Sequence, residues 1–270
     1  MGTAGVVGLV PAAGRADRLG KLPCSKEILP LGFQAGVGGT LRPKPVCQYL
    51  LESFQQAGIE RVFLLLRQGK WDVPALLGSG ADLGLHLAYL ALEPTASVPA
   101  TLDRAFPFVA AERIALGFPD ILFTPTGAYG DLLRHQEASG AEVVLGLFPT
   151  RQSWKSDMVE LDPAGRVRRL VIKEPDAGLA YTWSIAVWGP VFSRFLHDFL
   201  AREAAAAPAG RTRELYVGDV LQAAIDAGLR VEAVAFPDGS YRDVGTPEDL
   251  QQATLELAGG PPSVLTAPTR

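Results

Sequence analysis

The sequence has few cysteines, no long apolar run and no excess of positive charge. Its two cysteines, Cys24 and Cys47, form no CxxC pattern, and Met1 is followed by a strand-like run instead of a leader, which together predict a reducing, cytoplasmic setting. The longest apolar runs, such as residues 62–66, are far shorter than the roughly 20 residues of a membrane helix, so no membrane contact is expected. A formal charge of -4 argues against a nucleic-acid partner, which would require clustered Lys and Arg. Any phosphate contact must therefore be local.

The first half of the chain alternates short strand-like runs with amphipathic stretches, which is typical of βαβ units. Runs that are apolar throughout, such as residues 63–66, are expected to be buried on both faces of a parallel sheet. The predicted strands are 6–10, 61–66, 85–90, 114–117 and 142–147, and the predicted helices are 45–56, 72–77, 99–108 and 128–137.

The pattern changes after residue 148. The turn DPAG at residues 162–165 predicts a hairpin between 158–161 and 167–172. Predicted strands follow at 183–188, 231–235 and 241–244, and predicted helices at 191–206, 217–227 and 247–257. The length favours a single domain over residues 1–258 and a disordered tail at 259–270. The glycine-rich insertion 32–42 is expected to be a disordered surface loop, with a mobile lid as the alternative.

A loop of small residues, PAAGRADRLG at 11–20, follows the first predicted strand. Such a loop lets backbone amides approach an anion, and ligands of open parallel sheets bind at the carboxyl ends of the strands. A tight turn without a ligand would have the same composition. The next segment, PCSKEILP at 23–30, adds Lys26 beyond Arg18.

These segments resemble the sugar-nucleotidyltransferase superfamily, whose members include glucose-1-phosphate thymidylyltransferases and uridylyltransferases, with a signature of roughly G-x-G-T-R-L and then S-K-x-L-L-P. The resemblance extends over about residues 6–255. It implies an α/β, Rossmann-like three-layer sandwich with a mostly parallel, mixed central sheet. It also implies that Arg18 and Lys26 are catalytic cations on the phosphates, and that the loop residues bind nucleotide; these are Ala12, Ala13, Gly14 and Arg15. Ala16 and Asp17 replace the signature glycine and threonine.

Two later segments resemble the family's nucleobase and metal motifs. The string LEPTASVPAT at 92–101 implies nucleotide contacts from Glu93 and Pro99, although Glu93 stands where glutamine is usual and can only accept hydrogen bonds. The string ALGFPDILF at 115–123 resembles an L-G-D metal motif and implies that Asp120 binds Mg²⁺, although a Pro-Asp pair can also form a plain turn. YRDVGTPED at 241–249 resembles W-x-D-x-G-T-P-E. Thr246 suits a helix N-cap, which leaves Asp243 as the implied second magnesium ligand.

The resemblance also implies a sugar-binding portion at about residues 148–245. Within it, RLVIKEP at 169–175 resembles an E-K-P strand end whose lysine holds the sugar phosphate. Side chains alternate along a strand, so Lys173 and Glu174 cannot both face the cleft, and we expect Lys173 to do so across a bulge or loop. Asp157 stands where the family commonly has a sugar-contacting glycine. Trp183 is expected to be mainly core but able to flank a sugar ring.

The resemblance implies transfer of an NMP group from an NTP, with dTTP or UTP favoured, to a sugar 1-phosphate, with Mg²⁺ as cofactor and pyrophosphate as product. Ala16, Asp17 and Asp157 leave open a catalytically degenerate nucleotide- or sugar-phosphate-binding regulatory module. A cytidylyltransferase acting on a non-sugar phosphorylated alcohol is a further alternative, and homo-oligomer formation is open. A nicotinamide-dependent oxidoreductase is disfavoured because no G-x-G-x-x-G follows the first strand.

Overall fold

The computed structural model describes residues 5–36, 39–206 and 214–258, so the tail predicted at 259–270 lies outside the described residues. The strands are β1 Val6–Ala12, β2 Pro30–Ala35, β3 Leu41–Pro45, β4 Arg61–Arg67, β5 His86–Leu92, β6 Arg113–Leu116, β7 Ile121–Thr124, β8 Val143–Pro149, β9 Asp157–Leu161, β10 Val167–Ile172, β11 Tyr181–Trp188, β12 Val231–Ala235 and β13 Ser240–Asp243. The helices are α1 Val46–Gln56, α2 Asp72–Leu77, α3 Val98–Asp103, α4 Phe106–Val109, α5 Ala128–Ser139, α6 Pro190–Ala206, α7 Val217–Asp226 and α8 Pro247–Ala258. No helix within these ranges is long and apolar enough to cross a membrane.

The central sheet of the described residues has nine strands and is mostly parallel, as the resemblance implies. Seven of its strands follow the order β10-β9-β11-β6-β1-β4-β5. Strand β8 pairs with β11 on the edge away from β6 and β9, and β12 pairs with β8. Strands β1, β4, β5 and β6 are mutually parallel, and β11 runs against β6, β8 and β9. Since β12 is parallel to β8 and β10 is antiparallel to β9, only β10 and β11 run opposite to the other strands.

The period-two pattern of β1 explains the three layers. Val6 and Val10 belong to the apolar cluster formed with α1, α2 and α5, whereas Val7 and Leu9 belong to the cluster formed with α3, α6 and α7. Successive side chains of a strand point to opposite faces, so an entirely apolar strand requires helices on both sides. The fold implied by the resemblance is therefore confirmed.

One predicted helix, 99–108, is wrong in its extent. The chain forms α3 and then the separate short helix α4, with Pro107 at the start of α4. A proline inside a continuous helix would clash with the carbonyl group four residues earlier and would lack a donor. The break at residues 104–105 removes that conflict.

The disorder predicted for the insertion 32–42 is also wrong for its described part. Strands β2 and β3 pair as an antiparallel hairpin, while residues 37–38 lie outside the described residues. The hairpin is held by α8 and α1: Leu31 is fully buried with Val244 and Ala253, and the Tyr49 hydroxyl donates to the Leu31 carbonyl oxygen at 2.8 Å. Burial of Leu31 supplies the packing that a disordered loop would lack.

Candidate active site

A cavity of about 570 Å³ opens where the carboxyl ends of β1 and β6 meet the segments around β8 to β10 and β13. This is the edge at which open α/β sheets bind ligands. The residues that line it are Pro11, Gly14, Arg18, Lys26, Val98, Phe118, Asp120, Ile121, Pro149, Thr150, Arg151, Gln152, Lys155, Ser156, Asp157, Lys173, Thr182, Trp183, Ser184, Tyr216, Val217, Tyr241, Arg242, Asp243 and Asp249. The lining thus includes the five charged residues predicted for phosphate and metal binding, which are Arg18, Lys26, Asp120, Lys173 and Asp243.

Two carboxylates meet because β13 pairs with β7. Asp243 lies opposite Ile121, the residue after Asp120, and the Val244 amide donates to the Asp120 carbonyl oxygen at 2.9 Å. Burial, followed by the nearby charge of Asp120, raises the pKa of Asp243 to about 6, against the opposing effect of Lys26 and Arg18. Sequence positions more than a hundred residues apart are therefore joined in one electrostatic cluster.

Lys26 forms an ion pair with Asp120 within this cluster. Burial alone would lower the pKa of Lys26, but the neighbouring carboxylates, Asp120 foremost, raise it above its ordinary value. Lys26 is therefore held as an ammonium at the cavity wall. A positive charge in this place can neutralise an incoming phosphate.

Arg18 approaches the Asp243 carboxylate in the space beside Gly245. A Cβ atom at residue 245 would lie 2.7 Å from Nη2 of Arg18 and 2.8 Å from Oδ1 of Asp243. Both separations are closer than real Cβ contacts allow, so any side chain here would displace one of the two charged groups. The glycine of the DVGT segment is thus required by the close approach of Arg18 and Asp243.

The pair Asp120 and Asp243 suits a divalent cation with oxygen ligands. The negative charge of Asp120 raises the pKa of Asp243, so a divalent cation between the two carboxylates would relieve their repulsion, and Mg²⁺ is commonly held by one or two carboxylates together with substrate phosphates. Within the described residues no group of three or more His, Cys, Asp or Glu could hold a metal by itself. The remaining ligands of such an ion would come from phosphate and water.

Ala16 occupies a backbone conformation that favours glycine. Its φ of 62° and ψ of 28° are left-handed, at the start of the short 3-10 helix Asp17–Leu19 that carries Arg18. The family signature has glycine here, and this geometry gives a physical reason for it. Asp17 is exposed and does not line the cavity, so its carboxylate lies away from the charged cluster of Lys26, Asp120 and Asp243.

The other end of the cavity is built around Asp157 and Lys173. Asp157 pairs with Ile172 in the register of β9 and β10, which places it beside Lys173 just after the strand end. Lys173 has a φ of 49° and leaves the strand, as the sequence leads us to expect, and its ammonium lies 3.5 Å from the centre of the Tyr216 ring. Glu174 is exposed and lies outside the cavity lining.

Polar atoms at this end lack partners. Oδ1 of Asp157 and Nε1 of Trp183 are buried without a hydrogen-bond partner among the residues that the structure describes. Burial raises the pKa of Asp157 to about 6; Lys173 and the nearby Trp183 indole, which is not in hydrogen-bond geometry with Oδ1, oppose this rise, and Asp219 adds to it. A Cβ at Gly218 would lie 2.7 Å from Oδ2 of Asp157, so the start of α7 packs directly on the carboxylate.

Several predicted nucleotide contacts lie outside the cavity lining. Glu93 is exposed and accepts a hydrogen bond from Gln68 at 2.7 Å, and Arg15 is exposed. Pro99 is buried in the first turn of α3, although its neighbour Val98 lines the cavity. The other two are Ala12, the last residue of β1, and Ala13, which follows it; the residues on either side of them, Pro11 and Gly14, line the cavity.

Sequence reasoning missed Tyr216 and the buried pair Glu27 and Lys70. Tyr216 immediately precedes a predicted helix, and this position alone could have suggested it as an aromatic group near the cleft. Glu27 and Lys70 are 43 residues apart in the chain, and neither has a local signal that would pair them.

The family model described as nucleotidyl transferase matches residues 8–259. The chain is 25% identical over 238 residues to the low-salt glycan biosynthesis nucleotidyltransferase Agl11 of Haloferax volcanii, covering 82% of this chain and 63% of that protein. It is 27% identical over 251 residues to a glucose-1-phosphate thymidylyltransferase of Streptomyces griseus, covering 90% and 63%. The Mycolicibacterium smegmatis protein of the same name is 28% identical over 265 residues, covering 94% and 84%. The chain thus spans just under two thirds of the first two relatives.

Solved structures share the fold. A Bacillus anthracis protein assigned as a glucose-1-phosphate thymidylyltransferase, crystallised with sucrose, superposes with a TM-score of 0.78 at 17% identity over 95% of this chain and 96% of that one. A UDP-glucose pyrophosphorylase in complex with UDP-glucose gives a TM-score of 0.73 at 18% identity over 93% and 97%. Because the family model spans almost the whole sequence, this chain belongs to the nucleotidyl transferase family, within the sugar nucleotidyltransferase superfamily.

Proposed function

We propose that this enzyme transfers an NMP group from an NTP, dTTP or UTP, to a sugar 1-phosphate and releases pyrophosphate. The observation that carries the proposal is the meeting of Arg18, Lys26, Asp120 and Asp243 around one cavity, with Lys173 at its far end. Relatives named glucose-1-phosphate thymidylyltransferase support dTTP and a sugar 1-phosphate as the substrates in this proposal.

The reaction needs charge control more than proton transfer. A phosphate oxygen of the sugar 1-phosphate is already anionic near neutral pH, so it can attack the α-phosphorus without a general base. The new bond joins this oxygen to the α-phosphorus. The bond from the α-phosphorus to the bridging oxygen breaks, and pyrophosphate leaves with the electron pair.

The two cations have distinct parts in this proposal. Arg18 stabilises the triphosphate and the leaving pyrophosphate, and Lys26 orients the α-phosphate and the nucleophile. Like charges about 4 Å apart repel by roughly 4 kcal/mol at an effective dielectric near 20, so two polyanions would not collect without such neutralisation. Asp120 and Asp243 would hold Mg²⁺, which when bound supplies further neutralisation of the phosphates.

At the acceptor end, Lys173 binds the phosphate of the sugar, and Asp157 accepts a hydrogen bond from a sugar hydroxyl. Trp183 flanks the ring. The absence of a partner for Asp157 Oδ1 and Trp183 Nε1 among the described residues supports this assignment, since buried polar groups are normally satisfied. Glu174 remains a weaker candidate because it is outside the lining.

The test is pyrophosphate release over a matrix of dTTP, UTP, CTP, ATP and GTP against common sugar 1-phosphates and phosphorylated alcohols, with Mg²⁺ present. The expected result is turnover with dTTP or UTP and a sugar 1-phosphate. Turnover only with CTP and a phosphorylated alcohol would overturn the substrate assignment. Calorimetric nucleotide binding with no turnover in any combination would instead favour the regulatory module, although the outward position of Asp17 removes one reason for it.

A further inference from the structure

A buried ion pair joins the two segments that carry the proposed catalytic cations. Glu27 is fully buried (0% exposed) and Lys70 is 6% exposed. Nζ of Lys70 donates to Oε1 of Glu27 at 2.6 Å and to the carbonyl oxygen of Ala12 at 2.8 Å. Glu27 directly follows Lys26 in the chain, and Ala12 ends β1 at the start of the loop to Arg18. Lys70 therefore forms hydrogen bonds to both segments.

A second attachment holds the residue on the other side of Lys26. The carboxylate of Asp72 accepts a hydrogen bond from the backbone amide of Ser25 at 2.6 Å and another from its hydroxyl at 2.7 Å. Asp72 is the first residue of α2, two residues after Lys70. Hydrogen bonds to the segment 70–72 thus hold the residues on both sides of Lys26.

Neither Glu27 nor Lys70 lines the cavity, so neither is placed to touch a ligand. A buried ion pair is also a weak source of stability, because the cost of desolvating two charges offsets most of their attraction. Burial raises the pKa of Glu27 and lowers that of Lys70, and in each case the partner's charge opposes the shift. Fixing geometry accounts for this arrangement better than fold stability does.

We propose that Glu27, Lys70 and Asp72 form an anchor that positions Lys26 toward the phosphates. They are positioning residues, since they act through Lys26. The role of Lys26 in the reaction rests on the proposed function. The anchor depends only on the hydrogen bonds of Lys70 and Asp72 to the residues on either side of Lys26.

The main variant is Lys70→Met, which removes the anchoring ammonium and keeps the length of the side chain. We expect kcat for pyrophosphate release to fall by about 10- to 100-fold, with the KM for the sugar phosphate nearly unchanged, because a misplacement of about 1 Å can reduce rate by this much. Asp72→Asn, which keeps the shape and removes the charge, should have a smaller effect in the same direction.

The matched control is Lys44→Met. Lys44 is also buried (3% exposed) and pairs with Glu52 at 2.5 Å, but it belongs to the hairpin β2–β3 and lies outside the cavity lining. It reports what the loss of any buried ion pair does to the fold. Equal losses of kcat in Lys44→Met and Lys70→Met would overturn the anchor.

A double-variant test separates positioning from general damage. If Lys70 acts through Lys26, adding Lys70→Met to a Lys26→Ala enzyme should lower kcat no further. A second, full loss of kcat in the double variant would contradict the proposal.

A measurement without substrate keeps the anchor testable if no turnover is found with the wild-type chain. Amide hydrogen exchange in the peptide covering residues 25–29 should accelerate at least tenfold in Lys70→Met and stay unchanged in Lys44→Met. Unchanged exchange in Lys70→Met would overturn the anchor, whereas accelerated exchange in a chain without activity would retain it and reject the proposed function.

Discussion

The two ends of the cavity differ in how their charges are balanced. At the end proposed to bind the NTP phosphates, here called the phosphate end, Lys26 is paired with Asp120, and Arg18 adjoins Asp243. At the acceptor end, Oδ1 of Asp157 is buried without a hydrogen-bond partner among the described residues, as is an indole nitrogen beside it. The charges of the first end are paired with each other, whereas the second end has Lys173 beside Asp157 but keeps two buried polar atoms that no described residue pairs.

This difference fits the chemistry that each end would serve. A triphosphate is the same polyanion in every NTP, so fixed cations and carboxylates can be arranged for it in advance. An acceptor is recognised by the arrangement of its hydroxyl groups, which requires polar atoms that are free until it binds. Changes at the phosphate end should therefore affect turnover, and changes at the acceptor end should affect selectivity.

The strongest test at the phosphate end is Lys26→Ala. We expect kcat for pyrophosphate release to fall by roughly two to three orders of magnitude, because a preorganised cation on the reacting phosphates is lost. Lys21→Ala, an exposed lysine of the same loop, is the control and should retain full activity. Full turnover in Lys26→Ala would remove Lys26 from the mechanism.

A smaller effect is expected for Asp243→Asn, which keeps the shape of the side chain and removes its charge. The Mg²⁺ concentration for half-maximal turnover should rise by about tenfold or more, because one of two proposed carboxylate ligands becomes neutral. Magnesium titrations of the variant and of Asp238→Asn, an exposed carboxylate nearby in the chain, provide the comparison. Identical magnesium dependence would show that Asp243 is not a ligand.

At the acceptor end, Asp157→Asn should raise the KM for the sugar phosphate by about tenfold and leave the KM for the NTP unchanged, because a hydrogen bond to a charged group contributes roughly 1.5 to 3 kcal/mol. Steady-state kinetics with each substrate varied in turn measure both constants. A change confined to the KM for the NTP would contradict the assignment of Asp157 to the sugar phosphate.

The same variant should be more stable than the wild type above pH 6. Burial raises the pKa of Asp157 from 3.8 to about 6, so the folded state binds this proton more tightly than the unfolded state. The contribution of the carboxyl group to stability therefore falls as pH rises from about 4 to about 6, and asparagine avoids that loss. Denaturant unfolding near pH 7 should show a gain of roughly 1 to 3 kcal/mol that nearly disappears at about pH 4. A gain that is independent of pH would contradict burial as the cause.

The smallest effect is expected for Ala16→Gly, the residue that the family signature has at this position. A left-handed alanine costs roughly 1 to 2 kcal/mol, while glycine loses roughly 0.5 to 1 kcal/mol more backbone entropy on folding. The thermal midpoint should stay the same or rise by a few degrees, with kcat within about twofold of the wild type. A clear loss of stability would show that the left-handed conformation at residue 16 is not strained.

Local patterns predicted most of the fold because their causes are local. Alternation in β1, the DPAG turn and the N-cap at Thr246, whose hydroxyl accepts from the Asp249 amide at 3.2 Å, depend on neighbouring residues only. The hairpin β2–β3 was missed because its glycine-rich sequence gives no such signal, and its order comes from burial of Leu31 against α8.

The candidate site divides in the same way. Motifs that resemble those of the family identified Arg18, Lys26, Asp120 and Asp243 as charged candidates. Strand alternation implied that Lys173 and Glu174 do not both face the cleft, and the resemblance favoured the lysine. The roles of these residues remain predictions. The motifs also implied nucleotide contacts from Glu93 and Arg15, but neither residue lines the cavity.

The sequence by itself determined the order of most elements and the types of charge available at the ends of the strands. Only the tertiary structure decided that Lys70 would reach Glu27 and that an oxygen of Asp157 would be buried without a partner among the described residues. Helix and strand signals arise from residues a few positions apart, whereas the desolvation and pairing of charges depend on which distant segments pack together.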